Sequence, residues 1–322
     1  MSIHKSVLLK EAVELLNLKK GATVVDATLG GGGHAREILK AIDKEGILVA
    51  IDCDEKAIEN FRKSLLSTSE ESKVDNFSRK RGKIILVRDN FVNLKKIISE
   101  SGIKLVDAII ADLGYSSDQL ADFHYGISFS IDAPLDMRLD RRNILTAEKV
   151  VNEYSQSELE KILKNYGEEK FSQSIAKKII EARKNRRIKR TLDLAEIIRS
   201  AIPEKYRKRR IDAATKTFQA IRIEVNRELI NLKEFISQAI EILKPEGRLA
   251  IISFHSLEDR IVKNIFRANA GGCICPPDFP KCICKRKAKI KLINKKPITP
   301  SQKELSINLR SRSAKLRVCE KL

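Results

Sequence analysis

The residues best suited to chemistry in the first half of the chain gather around a run of four glycines. In Asp26-Ala27-Thr28-Leu29-Gly30-Gly31-Gly32-Gly33-His34, glycines permit close backbone approach and positive φ. Free amides at the start of the helix that follows favour an electronegative ligand group. The spacing Gly30-x-Gly32-x-x-Ala35 meets the dinucleotide fingerprint with its Gly/Ala option, and Asp52 follows at about the expected 20 residues. A carboxylate there can accept both hydrogen bonds of a ribose diol. That suits NAD and the adenosyl group of S-adenosylmethionine equally, so the loop alone does not choose between a dehydrogenase and a methyltransferase.

A second stretch, Asp112-Leu113-Gly114-Tyr115, discriminates better. It resembles the acidic Pro-Pro-aromatic motif of amino-methyltransferases. An aromatic exocyclic amine is a poor nucleophile because its lone pair is delocalised into the ring. An acceptor aimed at the N–H, such as the Asp112 carboxylate, raises its nucleophilicity as an electrophilic methyl approaches. Tyr115 is placed to stack on a base.

The elements that must position these residues follow from periodicity. Residues 6 to 18 carry apolar positions at helical spacing, and Thr23 to Ala27 is a short β-branched run that stops at the glycine turn before a helix over His34 to Ile42. The unit repeats: strand Ile47 to Ile51 ending at Asp52, helix Glu55 to Leu66, strand Ile84 to Val87, a helix around Phe91 to Ile98, and strand Val106 to Ala111 ending at Asp112. Alternation of this kind predicts a parallel sheet covered on both faces, with ligands at the carboxyl ends of the strands. Beyond Asp112 the β signal disappears for about a hundred positions, and helical segments take over at 146–154, 157–185 and 191–202. The stripe from Phe218 to Leu243 reads as one long helix, Leu249 to Ser253 as the next buried strand, and Ala314 to Cys319 as the last. The expected organisation is an α/β Rossmann-like core in two parts, 1–113 and 213–322, with an all-helical substrate-recognition domain, 114–212, inserted between them.

Sixty-three Lys and Arg stand against 43 Asp and Glu, a net charge of +20, and a field of that sign attracts polyanions. Nucleic acid is therefore the expected partner. The runs Arg183 to Arg190 and Lys205 to Arg210 are candidate phosphate contacts. No run approaches the roughly 20 apolar residues of a bilayer span, and the start lacks a secretory apolar region, so a cytoplasmic protein without membrane attachment is expected. The oligomeric state is open between monomer and homodimer.

Four of six cysteines crowd into one segment, Cys273, Cys275, Cys282 and Cys284. Four thiolates suffice for tetrahedral zinc, but pairs in structural zinc sites are usually separated by two to four residues, not one. Free thiols or facultative disulfides are the expectation, with zinc as the alternative.

Several stretches are more specific: His4-Lys5-Ser6-Val7-Leu8-Leu9, Ala133-Pro134-Leu135-Asp136-Met137-Arg138, Thr217-Phe218-Gln219-Ala220-Ile221-Arg222, Ser253-Phe254-His255-Ser256-Leu257-Glu258-Asp259-Arg260, and Arg310-Ser311-Arg312-Ser313-Ala314-Lys315-Leu316-Arg317. Together they closely resemble the bacterial 16S ribosomal RNA cytosine 4-amino-methyltransferases, the RsmH (formerly MraW) family, from His4 to Arg317. The resemblance implies an S-adenosylmethionine-dependent methyltransferase core with an inserted helical domain. It also implies action on one cytidine of the decoding centre, in 16S ribosomal RNA assembled or nearly assembled into the small subunit. Matched by motif, the family's cofactor contacts fall on Gly32, Gly33, His34, Asp52, Phe91, Asp112 and Gln119, with Phe91 packing against the adenine. Asp112 then has two roles open to it, cofactor contact and proton acceptor. Asp136, Arg138 and His255 are candidates for the cytosine pocket, against structural roles as a helix-capping aspartate and a satisfied buried histidine. Three positions depart from the family pattern: Tyr115 replaces a small aliphatic residue, while Asp118 and Leu309 stand where proline is common. Tyr115 is therefore weaker as a family-wide stacking residue, although the position can still line the pocket. A non-catalytic ribosomal RNA-binding assembly factor is the rival reading outside enzymes.

Overall fold

The computed structural model describes residues 6–67, 82–115, 119–120, 122–207, 212–271 and 287–322. The four clustered cysteines, His4 and Lys5, Asp118 and the end of the second basic run lie outside the described residues. The chain forms two compact units, one of His4–Gly114 with Leu229–Leu322 and one of Tyr115–Glu228.

The first unit is built on seven strands: β1 Thr23–Asp26, β2 Ile47–Asp52, β3 Lys83–Arg88, β4 Val106–Asp112, β5 Leu243–Ser253, β6 Ile290–Leu292 and β7 Lys315–Lys321. Their order in the sheet is β3-β2-β1-β4-β5-β7-β6, with β1 to β5 parallel and β7 antiparallel to both its neighbours. The order reverses between β1 and β4, which opens the crevice where Rossmann-like sheets bind ligands. Successive side chains of a strand point to opposite faces, so an unbroken apolar run such as Val24-Val25 or Ala108-Ile109-Ile110-Ala111 requires cover on both. One face packs Val24, Leu48, Ile110 and Ile252 beneath α1 Leu9–Leu15, α2 Gly33–Ile42 and α3 Glu55–Ser67. The other packs Val25, Val49, Ile109 and Ile251 beneath α4 Leu94–Glu100, α11 Glu228–Ile242 and α12 Ser256–Asn269. A short helix, α13 Gln302–Ile307, precedes β7.

The second unit is helical: α5 Ala147–Glu153, α6 Gln156–Gly167, α7 Ser172–Asn185, α8 Thr191–Ala201, α9 Glu204–Arg207 and α10 Thr215–Asn226. Its core gathers Leu135, Met137, Val150, Leu163, Ile179 and Ile221. Two expectations from periodicity are corrected. The stripe Phe218 to Leu243 is two helices, α10 and α11, because Arg227 between them adopts a left-handed φ of 52°. The segment 157–185 is likewise two, since Glu168 after α6 is left-handed at φ 47°. The compact helical unit also runs to Glu228, not to 212, because Phe218, Ile221 and Val225 of α10 belong to its apolar core while Leu232 and Phe235 of α11 belong to the sheet. Among the described residues, no helix is long and apolar enough to cross a membrane.

Candidate active site

The glycine run leaves the carboxyl end of β1 and bends back into α2. Gly30 and Gly32 both adopt positive φ, 49° and 74°, a conformation that costs other residues energy. Gly32 is also the N-cap of α2, and a Cβ on it would run into the ring of Phe61. A Cβ on Gly33 would meet the side chain of Ser6. The loop is tied down on three sides. Its Leu29 N–H donates to Ile51 O at the end of β2 (2.9 Å), Ala27 N–H to Ile110 O in β4 (2.9 Å), and Gly30 N–H to Asp52 Oδ2 (2.8 Å).

Asp52 therefore braces the loop as well as ending β2. Its other oxygen, Oδ1, accepts from the Asp54 amide at 2.8 Å. A carboxylate oxygen has more than one acceptor direction, so these bonds leave room for a ribose diol.

Asp112 ends β4 beside the loop. Its amide donates to Thr28 Oγ1 (2.6 Å), and its Oδ1 accepts from the Gly114 amide (3.2 Å). Its Oδ2 lies 3.8 Å from Nδ1 of the buried His34, the first full side chain of α2. Gly114 itself lies so close to Phe254 that a Cβ would enter that ring. Phe91 sits in the turn after β3, where Asn90 caps the turn by accepting from the Val92 amide (3.0 Å). The Phe91 ring meets Phe235 of α11 edge-on at 5.0 Å, which fixes its orientation. Thus the carboxyl ends of β1, β2, β3 and β4 bring Gly32, Gly33, His34, Asp52, Phe91 and Asp112 to one edge of the sheet.

Two participants were not singled out by sequence reading: Asp26 and Thr28. Asp26 ends β1 fully buried, and its Oδ2 has no hydrogen-bond partner. It opens the quoted glycine motif, but only the fold reveals that it faces two other acids. Burial, with the neighbouring charges of Asp112 and Asp52, pushes the Asp26 carboxyl up to about 7. Burial raises Asp52 to about 6, and burial together with Glu258 raises Asp112 to about 7. Three desolvated acids against one glycine loop create a site that favours cations. A cofactor with a ribose but no phosphate, bearing a sulfonium and an ammonium, is complementary to it.

His255 is the N-cap of α12. Its Nδ1 accepts from the Glu258 amide (3.4 Å), and its Nε2 lies 3.2 Å from Glu258 Oε1. Glu258 in turn accepts from the Phe254 amide at 2.8 Å. The same motif supplies Asp259, whose Oδ1 accepts from Arg317 Nε at 2.6 Å and whose Oδ2 is 3.3 Å from Lys315 Nζ. The motif after β5 and the motif at the tail are therefore joined by a buried ion pair.

The remaining candidates belong to the helical unit. Gln119 is half-buried there. Tyr115 donates to Glu228 Oε1 (2.6 Å) and carries the Arg222 guanidinium 4.2 Å from its ring centroid, while Arg222 forms a forked pair with Glu228 at 2.9 and 3.0 Å. Asp136 and Arg138 pair bidentately at 2.7 and 2.9 Å, and Arg138 also donates to the carbonyls of Arg141 and Asn143. These are loop-folding contacts. In the basic run, Arg183 donates to Val151 O and Tyr154 O, Arg186 pairs with Asp193, Arg187 with Glu148 and Glu153, and Arg190 with Asp132; Lys184 and Lys189 are exposed.

A hollow of about 420 Å³ near Leu16, Lys20, Asp107 and Lys244 opens at the amino ends of the strands. Its Asp107–Lys244 ion pair (2.9 Å) and its distance from the glycine loop leave it outside the chemistry just described.

Fold and site together define a Rossmann-like methyltransferase that uses S-adenosylmethionine. Comparison with known proteins agrees. "Ribosomal RNA small subunit methyltransferase H" of Clostridium botulinum is 50% identical over 319 residues, covering 99% of each chain. The proteins of that name from Acetivibrio thermocellus and Halothermothrix orenii are 48% and 46% identical, covering 99% of this chain and 99% and 98% of theirs. The family model of the MraW methylases matches residues 1–322, and the chain belongs to that family. Family membership removes the dehydrogenase reading.

Proposed function

We propose that the chain methylates the exocyclic 4-amino group of a single cytidine in the decoding centre of 16S ribosomal RNA, acting on the small ribosomal subunit in the cytoplasm. The observation that carries this reading is Asp112, an acid at the reacting edge of the sheet, raised to about 7 by burial and Glu258. A carboxyl near neutrality accepts a proton at working pH and passes it on, as an amine acceptor requires. The target class is supported by relatives about half identical over their whole length and named for small-subunit ribosomal RNA, and by the net charge of +20.

Bound S-adenosylmethionine supplies an electrophilic methyl group on sulfur. The chain supplies position and a proton acceptor. Asp52 accepts from the ribose hydroxyls, Phe91 presents a ring held by Phe235 to the adenine, and Gly32 and Gly33 let the backbone approach the cofactor. The Gly114 amide holds the Asp112 carboxylate at Oδ1 while His34 Nδ1 lies 3.8 Å from Oδ2, the oxygen that accepts from the amine. Of the tentative base contacts, Tyr115, Asp136, Arg138 and His255 act by shaping the loops around the substrate, given their internal partners. Gln119 is kept as a cofactor contact on family resemblance.

Calorimetric titration with S-adenosylmethionine and with NAD, followed by transfer of labelled methyl to 16S RNA, tests the reading. Binding of the first ligand alone, with label in the RNA, is the expected result. RNA binding without affinity for S-adenosylmethionine would favour the non-catalytic assembly factor.

A further inference from the structure

The helical unit exposes an aromatic stack that the cofactor site does not use. Phe123 is 52% exposed, and its ring lies 3.8 Å from the His124 imidazole, centroid to centroid, at 33°. The stack stands on a braced turn. Asp122 caps it, accepting from the His124 amide at 2.9 Å and holding His124 Nδ1 at 2.7 Å. Tyr125, next in the chain, is buried, and its carbonyl accepts from the Met137 amide at 2.8 Å. Gly126 is left-handed at φ 59°, where a Cβ would strike Pro134 O. A cation stands at the foot of the stack: the exposed Arg141 lies 5.8 Å from the Tyr125 ring centroid, with Nη2 3.5 Å from His124 O.

A single exposed apolar side chain is ordinary on a protein surface. Two stacked rings on a rigid turn, with a guanidinium beside them, are the pattern by which proteins hold unpaired nucleotides: the outer ring takes a base and the cation takes its phosphate. An apolar protein partner would gain nothing from the adjacent arginine, and a net charge of +20 brings a polyanion to this surface. We infer that Phe123 and His124 form a stacking platform for an unpaired RNA base, with Arg141 as its phosphate contact. The inference rests on the ribosomal RNA reading and adds to it a second point of RNA recognition, on the helical unit.

The sequence contains no tryptophan, so Phe123→Trp gives the full-length protein a single tryptophan, excited apart from its five tyrosines. Titration with a single-stranded oligoribonucleotide of about 12 nucleotides is expected to quench it saturably. Phe123→Ala is expected to weaken binding of the same oligonucleotide by about 5- to 150-fold. It should raise KM for 16S RNA more than it lowers kcat, and leave S-adenosylmethionine affinity and the melting temperature as they were. Phe123→Tyr should restore RNA affinity. Wild-type RNA affinity in Phe123→Ala, in a protein whose parent methylates 16S RNA, overturns the platform and spares the reading. Quenching and an alanine defect in a parent that methylates no RNA keep the platform and overturn the reading. A parent that binds no RNA overturns both.

Discussion

At the scale of single residues the controlling feature is the charge of three buried acids. Asp26 and Asp112 are raised to about 7 and Asp52 to about 6, whereas in an unfolded chain they titrate near 3.8. Between those values the folded chain holds protons that the unfolded chain has released. Stability from this source is complete below about pH 4 and is lost as pH rises through 6 to 7. The free protein should therefore melt at progressively lower temperature from pH 5 to pH 8, and a flat profile would contradict the assignment. The cofactor's cations favour the ionised acids, so its affinity should rise over the same interval, with proton release in the calorimeter. Asp112→Asn removes the proton acceptor while keeping shape, and about a 10²- to 10⁴-fold loss in kcat is expected, with a smaller change in cofactor affinity. Gly32→Ala forces a side chain into a φ of 74° and against Phe61, at a cost of about 1–3 kcal/mol, which a thermal melt will register together with weaker cofactor binding.

At the scale of elements, most of the sheet was legible because β1, β2 and β4 read as buried apolar runs ending in acids, whereas the three-residue edge strand β6 is too short to carry a pattern. Asp52 and Asp112 could be placed on the ligand edge from sequence alone. Asp26 could not, because an acid between a strand and a glycine turn looks like any turn residue until β2 and β4 flank it. The helix break at Arg227 was hidden for a different reason. Apolar spacing of three and four continues across it, and the left-handed residue is an arginine, not a glycine, so periodicity carries no trace of it. Glu168 hides the break after α6 in the same way, although Gly167 before it is a signal. The ion pair of Asp259 with Arg317 is another product of the fold, linking residues 58 apart in sequence. Burial raises the Asp259 carboxyl, but the hydrogen bonds and charges of Arg317 and Lys315 outweigh it and hold the group below its usual range. Its stability is present above the unfolded pKa and is lost as pH falls through the depressed one. Arg317→Met leaves that buried carboxylate with only the part-exposed Lys315 ammonium 3.3 Å away, so a loss of about 3 kcal/mol, the lower end for a broken buried pair, is expected in denaturant unfolding. A loss under about 1 kcal/mol, as for an exposed pair, would deny the clasp its role.

At the scale of the whole molecule, the net charge of +20 announces a polyanionic partner, and part of the densest basic run is engaged within its own unit. Arg186, Arg187 and Arg190 are engaged with Asp193, Glu148, Glu153 and Asp132, so their charge is partly spent within the unit. Lys184 and Lys189 of the same run are exposed and are the cations proposed to reach RNA phosphates. RNA affinity should fall steeply with salt, and replacing both lysines by glutamine should flatten the slope of log K against log salt by about 0.7 for each phosphate no longer neutralised. An unchanged slope would move the phosphate-binding positions elsewhere on the surface. The proposed reaction is methyl transfer to one amine of one cytidine. Labelled S-adenosylmethionine incubated with undermethylated small subunits and with protein-free 16S RNA, and mapped by nuclease digestion and mass spectrometry, tests it most directly. Label confined to the 4-amino group of a single cytidine in the decoding centre is the predicted result; label on another base or another atom, or none while the cofactor still binds, would contradict it.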